Sequence, residues 1–489
     1  MATVLRLLLG VMPTACRAAL PVFGDRLDFG EPMSSEIKKY DVAIVGAGIS
    51  GTSLLYVLSN YTNINSIALI EKNRKVALVN SHKNSNSQTL HFGDIETNYT
   101  LEKAEKVDRA ASMVRNFLLK TDLEQQSYSK YNKMVLAVGR EETEQLSNRY
   151  QQFKQLFPKL KLIDREQIQA IEPNVLKGRD PSEEVNALFT EEGYAIDFQK
   201  LSELFLEQSR SHPEKNIDLM METKVKKIEK DGDLYRIQTE GEAIAAKVVA
   251  VMAGAHSLLI AKSLGYGKDY ALLSVAGNFY LAPGVLNGKV YTMQLKKIPF
   301  AAIHGDPEVR DRSQTRFGPT AKAILMLERG NYATVGEYFQ TAGLSLAAFQ
   351  SFFKILSDPA IWRYMLRNLV YDLPVIGKAL FLKEVRKIVP SIKFNELKLA
   401  KGYGGIRPQI VNLKTQTLDL GEAKIIGDRI LFNITPSPGA STCLQNAESD
   451  TEKIVYFLGQ DYTFDRYKFL QDLEIESESE RSSIASLPS

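Results

Sequence analysis

The chain has 489 residues, 44% hydrophobic and 24% charged, enough to bury a full core and, by usual domain sizes, to form two or three structural units. A net charge of +3 provides no nucleic-acid surface by itself. Only two cysteines occur, Cys16 and Cys443, without paired spacing, which argues against a disulfide framework, a zinc site or a chain-bound iron–sulfur cluster and leaves any electrons to a bound organic cofactor.

The opening segment carries Arg6 and Arg17, no acid before Asp25, and a leucine-rich stretch from Leu5 to Val11. That composition reads as a targeting segment. A mitochondrial presequence fits the scattered arginines, and Arg17 interrupts a region that a secretory signal would keep neutral; the secretory rival rests on apolar Leu7 to Met12 with Ala15 and Ala18 after it. No run of about 18 apolar residues occurs, so no membrane-crossing helix is expected.

Tyr40 to Val45 is an apolar strand that runs into Gly46-Ala-Gly-Ile-Ser-Gly51 and then into a helical pattern. Such a turn must be tight at Gly46, must let a pyrophosphate approach the backbone at Gly48, and must pack helix on strand at Gly51. The positive end of the following helix then faces the phosphates, with Ser50 in its first turn. A second strand, Ile67 to Glu71, ends in a carboxylate that can accept both hydroxyls of an adenosine ribose and would repel a 2′-phosphate. Glu71, with Lys72 beside it, favours an unphosphorylated adenosine.

Further along, Met134 to Val138 and Val185 to Thr190 read as strands, and Asp197 to Arg210 as a helix with Phe198, Leu201, Leu204 and Phe205 on one face. Lys224 to Glu229 and Tyr235 to Thr239 follow as strands. Lys247 to His256 reads as one more strand of the parallel sheet, ending in small residues around Gly254 where it passes the cofactor. Asn278 to Leu281, Ala323 to Leu327 and Ala333 to Val335 suggest an antiparallel sheet over the active face. From Ser345 to Val389 the pattern is helical, and between Pro359 and Val389 the bases Arg363, Arg367, Lys378, Lys383, Arg386 and Lys387 outnumber the acids Asp372 and Glu384. Interleaved with Trp362, Tyr364 and Phe381, this stretch is either a packed hairpin with a solvated basic face or a surface for an anionic membrane.

Two late segments return to the cofactor. Gly402 to Gln409 is dense in glycine, including Gly404 and Gly405, and holds Arg407 extended before a proline. Pro436 to Leu444, with Gly439, Ala440 and Ser441, is a small-residue turn opening a helix. A nicotinamide enzyme has no need of these loops. A flavin enzyme does, because a helix start offsets the negative charge of the reduced ring.

The cradle with these two segments resembles the FAD-dependent oxidoreductases of the D-amino-acid oxidase and 2-hydroxy-acid dehydrogenase superfamily. Within it, Asn86 to Thr100, Ile298 to Asp306 and Arg316 to Thr320 are similar to the signature of malate:quinone oxidoreductases, in a divergent branch that keeps the histidine, glutamate, asparagine, tyrosine and threonine of the first motif. The resemblance implies an α/β fold: a discontinuous Rossmann-like FAD-binding domain (39–110, 181–262, 396–472) and an inserted α+β substrate domain with a mostly antiparallel sheet (111–180, 263–395). Residues 1–38 are then the presequence and 473–489, rich in Glu and Ser, a disordered tail. It also implies FAD, oxidation of L-malate to oxaloacetate, a membrane quinone as acceptor, and a peripheral place on the mitochondrial inner membrane.

Oxidising a 2-hydroxy acid requires a base for the hydroxyl proton and cations for the carboxylates. His304 is the expected base, oriented by Asp306, because imidazole titrates near neutrality. Arg407 resembles the carboxylate-binding arginine of the amino-acid oxidases, and Arg316 is the expected second clamp for a dicarboxylate. His91 lies on the loop that passes the flavin in this superfamily and is expected to touch substrate or ring, with Gln88 and Thr89 at the flavin edge. His82, His212 and His256 have no comparable context, and Cys443 reads as a packing residue. The competing functions are a 2-hydroxyglutarate dehydrogenase or other 2-hydroxy-acid oxidase on the same scaffold and, remotely, a non-catalytic escort protein.

Overall fold

The computed structural model describes residues 37–294, 302–309, 311–342, 345–371, 373, 375–419, 423–435 and 438–473. The targeting segment, the acidic tail, Cys16, most of the run from Ile298 to Ala302, and Pro436 with Ser437 lie outside the described residues. All the strands and helices that shape the site belong to the compact unit that begins at Lys38.

Its centre is a parallel sheet in which Lys38–Val45 lies between Ser66–Ile70 and Ile244–Val251, with Asn216–Met220 beyond the former and Ile430–Ile434 beyond the latter. Val42, Ala43 and Ile44 are fully buried, as the unbroken apolar run of a strand covered on both faces requires. Helices Ile49–Tyr61, Phe198–Ser209 and Cys443–Leu458 cover one face through Leu54, Leu55, Leu201, Phe205, Leu444 and Ile454. Asp197 caps the middle one by accepting from the Gln199 and Lys200 amides. Because the sheet draws its strands from three separated stretches of chain, the α/β fold expected from the sequence is present in its discontinuous form.

A second sheet of eight strands runs in the order Lys398–Leu399, Tyr280–Pro283, Gln314–Gly318, His304–Pro307, Lys289–Thr292, Tyr128–Val138, Val185–Ile196 and Lys161–Ile163. It is antiparallel except where Lys289–Thr292 meets Tyr128–Val138. A third sheet of four antiparallel strands pairs Tyr270–Ala276 with Ile406–Asn412, setting Val275 opposite Arg407.

Three expectations need correcting. The strand expected to reach His256 stops at Val251, and His256 instead opens the helix His256–Ser263 after a left-handed Gly254. Of Ala323 to Leu327, only Ala323 joins a ladder, because the Leu327 and Glu328 amides donate to the Thr334 hydroxyl instead. Ala333 to Val335 is a 3-10 turn leading into the helix Val335–Ala342, whose buried Tyr338, Thr341 and Ala342 follow a helical spacing.

The helices Leu346–Leu356, Pro359–Val370 and Ile376–Ile388 form where expected. Their outer surface is not simply basic. Phe349, Phe353, Trp362, Leu366, Leu369, Leu373, Val375 and Ile376 are all exposed, an uncommon density of large apolar side chains in one short stretch.

Candidate active site

A cavity of about 790 Å³ opens at the carboxyl ends of the parallel strands, where ligands bind in open α/β sheets, and runs from the glycine cradle to Arg407. Gly46 has φ +103°, and a Cβ there would lie 2.7 Å from the Met252 carbonyl oxygen. A Cβ on Gly51 would lie 1.9 Å from the Gly46 oxygen, so helix and strand touch there as the motif requires. Gly46 and Gly48 both line the cavity. The Glu71 carboxylate accepts from the Ala47 amide at 2.8 Å and the Asn73 amide at 2.9 Å, which fixes it on the cavity wall. Lys72, also on the wall, is paired with Glu328.

The other glycine loops reach the same space. Ser50, Gly254, Gly404, Gly405, Gly439, Ala440 and Ser441 all line it. A Cβ on Gly405 would sit 2.5 Å from the Ser85 carbonyl oxygen, so that loop can close on its neighbour only as glycine. An elongated cavity with a cradle, a placed carboxylate and late glycine turns fits a dinucleotide that carries a second ring system.

Reactive side chains line the same cavity. Arg407 is partly buried, lines the cavity, and has no carboxylate partner among the described residues. Burial pulls its pKa down, while the Tyr364 and Tyr99 hydroxyls act the other way. His91 also lines the cavity, and its Nδ1 lies 2.6 Å from Glu96 Oε1. Burial would push the Glu96 carboxyl up, but the bond from His91 with the charges of His91 and Lys133 outweighs it, and the group ends below the usual range. The His91 amide donates to Ser441 Oγ at 3.0 Å, which ties the histidine loop to the start of the helix Cys443–Leu458. This pairing of imidazole with a buried carboxylate is the constellation of a general base with its orienting partner.

The residues expected as base, orienter and second clamp stand elsewhere. His304, Asp306 and Arg316 come together, with His304 Nε2 3.2 Å from Asp306 Oδ1 and Arg316 Nη2 2.9 Å from Asp306 Oδ2, but all three are buried within the eight-stranded sheet and none lines the cavity. Burial drives the His304 pKa down to about 4, which leaves a neutral ring packed on Tyr291. Burial alone would raise the Asp306 carboxyl, but Lys289, Arg316 and His304 outweigh it and hold it low. Arg316 gives Nη2 to Asp306 and the Ser87 carbonyl and Nη1 to the Asn86 carbonyl, while its buried Nε has no hydrogen-bond partner among the described residues. Gln88 is also displaced from its expected role, since its amide nitrogen donates to Glu308 and Lys83 rather than facing the cavity. Thr89 does line the cavity.

Sequence reasoning passes over Glu96, His256, Lys289 and Lys133. His256 lines the cavity and binds Glu337 at 3.1 Å. Glu96 has a local signal, an acid on the same loop as His91. Lys289 and Lys133 have none, because strand pairing alone brings them under that loop. Cys443 is buried and burial pushes its thiol up to about 12, consistent with a packing role.

Residues 38–447 match the family model described as malate:quinone oxidoreductase. A probable malate:quinone oxidoreductase of Helicobacter acinonychis is 41% identical over 448 residues, covering 90% of this chain and 99% of that protein. One from Campylobacter jejuni is 42% identical over 441 residues, covering 88% and 98%. Among solved structures, dithionite-reduced L-α-glycerophosphate oxidase from Mycoplasma pneumoniae with FAD bound aligns with a TM-score of 0.62 at 18% identity, over 88% of this chain and 97% of that one. The fold is therefore one that FAD-dependent oxidoreductases use. These relatives by sequence come from bacteria, which have no mitochondria, and that overturns the mitochondrial address read from the opening segment.

Proposed function

The chain belongs to the malate:quinone oxidoreductase family, and from that premise we propose that its cavity holds FAD and that Arg407, His91 and Glu96 carry the chemistry. As a member it is an oxidoreductase that oxidises malate with a quinone as acceptor. The observation that supports the residue assignment is that one cavity is lined both by an imidazole held by a buried carboxylate and by a guanidinium that no carboxylate among the described residues engages.

Gly46, Gly48, Ser50 and Glu71 would hold the pyrophosphate and adenosine ribose, with Gly51 letting helix and strand close behind them, and the turn Gly439 to Ser441 would serve the ring. Bound FAD supplies the acceptor for the hydrogen and electron pair that leave C2 of malate. Arg407 grips a substrate carboxylate with two parallel hydrogen bonds, a strong interaction in a partly desolvated wall. His91 Nε2, the nitrogen not engaged by Glu96, takes the hydroxyl proton, and the Glu96 carboxylate offsets the charge that forms on the ring. Oxidation is complete when the C2 hydroxyl has lost its proton to His91 and C2 has lost its hydrogen with the bonding electrons.

A quinone acceptor dissolved in lipid calls for a protein surface that meets lipid. The exposed apolar side chains of the helices Leu346–Leu356, Pro359–Val370 and Ile376–Ile388, with Arg363 and Lys383 exposed on the same helices, have the amphipathic and basic character of an interfacial surface for an anionic membrane. Sedimentation with anionic liposomes at low salt, reversed by high salt, is the expected behaviour; protein that stays in the supernatant at low salt contradicts it.

Anaerobic titration of the flavin-loaded protein with L-malate, D-malate and 2-hydroxyglutarate, followed by a quinone analogue, tests the substrate. L-malate bleaches the flavin and the analogue restores its colour. Bleaching by 2-hydroxyglutarate with none by malate would transfer the protein to the competing 2-hydroxy-acid activity.

A further inference from the structure

Four neighbouring strands of the eight-stranded sheet place Arg316, Asp306, Lys289 and Lys133 in one row. Asp306 stands opposite Arg316, Lys289 stands opposite Lys133, and Lys289 Nζ lies 3.8 Å from Asp306 Oδ2. Arg316 and Asp306 are 0% exposed, and the two lysines 1%. Burying three cations beside one carboxylate is costly, and like charges directly opposite each other on a sheet repel. An apolar row of the same volume would avoid both penalties.

The segment from Asn86 to Asp94 lies across this row and supplies the missing partners. Arg316 donates to the Asn86 carbonyl at 3.3 Å and the Ser87 carbonyl at 2.9 Å. Lys289 Nζ donates to Thr89 Oγ1 at 3.1 Å, and Lys133 Nζ to Asp94 Oδ1 at 2.8 Å. Each cation thus holds a different point of the segment that carries His91. Thr89 is the nearest of these points to the histidine. Its hydroxyl donates to the Ser87 carbonyl at 3.1 Å while accepting from Lys289, and it also lies 3.1 Å from the Tyr291 hydroxyl; its carbonyl accepts from Ser441 Oγ at 3.5 Å. The same Ser441 oxygen accepts the His91 amide.

We propose that Lys289 is a positioning residue for malate oxidation: by holding the Thr89 hydroxyl it sets, through Ser441, the place from which His91 addresses the substrate. The inference rests on the reading of His91 as the base. It also accounts for a lysine kept where burial pulls its pKa down to about 8, Asp306 pulling it up and Arg316 and Lys133 pushing it further down.

The test uses flavin-loaded enzyme, with rates expressed per bound flavin. Lys289→Met lowers kcat by about 10- to 100-fold, as a base misplaced by a fraction of an ångström would, while KM for malate changes by less than about 3-fold. The deuterium isotope effect on kcat with malate labelled at C2 rises, because bond cleavage becomes slower than the steps around it. Lys289→Arg restores most of the rate. Thr89→Val, which also removes the bonds to Tyr291 and Ser87, shows at least that loss, and adding Lys289→Met to it lowers the rate by much less than the product of the two losses, because the contact they share is already gone. Should Lys289→Met fail to fold, Thr89→Val with its isotope effect carries the test. Unchanged kcat per flavin in these variants, or losses that simply multiply, overturns the proposal. His91→Asn separates the two claims. If it keeps full kcat, the base assignment fails and this inference with it; if it is inactive while Lys289→Met matches wild type, only this inference fails.

Discussion

The nucleotide cradle and the charged row under the His91 loop are both tightly constrained, and they are built in opposite ways. The cradle is made of sequence neighbours, Gly46, Gly48 and Gly51, whose spacing states their geometry. The row is made of residues far apart in the chain, Lys133, Lys289, Asp306 and Arg316, that only strand pairing brings side by side. A similar contrast separates two arginines. Arg316 is buried in the sheet with both Nη atoms engaged by Asp306 and two carbonyls of the Asn86 to Asp94 segment, whereas Arg407 faces the cavity with no carboxylate partner among the described residues. A guanidinium in a recognisable motif is therefore not yet a substrate ligand; what decides is whether it reaches the cavity and whether a carboxylate has already taken it.

The largest effect that would break this contrast belongs to the cradle. Gly51→Val puts carbon atoms onto the Gly46 carbonyl, where even a Cβ would lie at 1.9 Å, and removes essentially all bound flavin, read as the ratio of flavin to protein absorbance in purified material. Full flavin content would mean the cradle is not the cofactor site. Next comes the row. Arg316→Met leaves the Asp306 carboxylate buried without its hydrogen-bonded partner and costs about 3–5 kcal/mol, seen in denaturant unfolding. Wild-type stability with weakened malate binding would return Arg316 to the role of substrate clamp.

A smaller effect concerns acid. His304 titrates at about 4 in the fold against 6.5 in a free chain, so between those values the unfolded chain takes up a proton that the native state refuses. Stability is full above the unfolded value and falls as the pH drops towards 4, by roughly 3 kcal/mol. His304→Gln flattens that part of the profile of stability against pH. The pH dependence of kcat near neutrality stays as it was, because a ring that is neutral there contributes no ionisation. The smallest effect is at the outer helices: Trp362→Ser with Leu366→Ser weakens binding to anionic liposomes about tenfold, the loss of roughly 1.4 kcal/mol, and leaves turnover with a water-soluble acceptor unchanged.

The cradle, the glycine turns and Arg407 are legible in the sequence because each is a local pattern whose backbone needs are written in its own residues. His304, Asp306 and Arg316 are legible as important but not in role. They sit in a motif, and nothing in the chain's order reveals that the strand Lys289–Thr292 lies beside His304–Pro307 and fills the space with Lys289. The reverse holds at His91, where the acid five residues on, Glu96, is in plain view, yet only the folded loop shows that the two side chains meet. Ala333 to Val335 reads as a strand because a short apolar run has no period of its own; the helical spacing emerges only with Tyr338 and Thr341.

The division between the two arginines is tested most directly by the anaerobic reduction of Arg407→Met holoenzyme by malate, with the flavin absorbance followed at increasing substrate concentration. The malate concentration for half-maximal reduction should rise roughly 100-fold, the worth of a charge-assisted pair of hydrogen bonds, while flavin content and thermal stability remain those of the wild type. Reduction with wild-type half-saturation would contradict the account, because Arg407 would then be no ligand of the substrate.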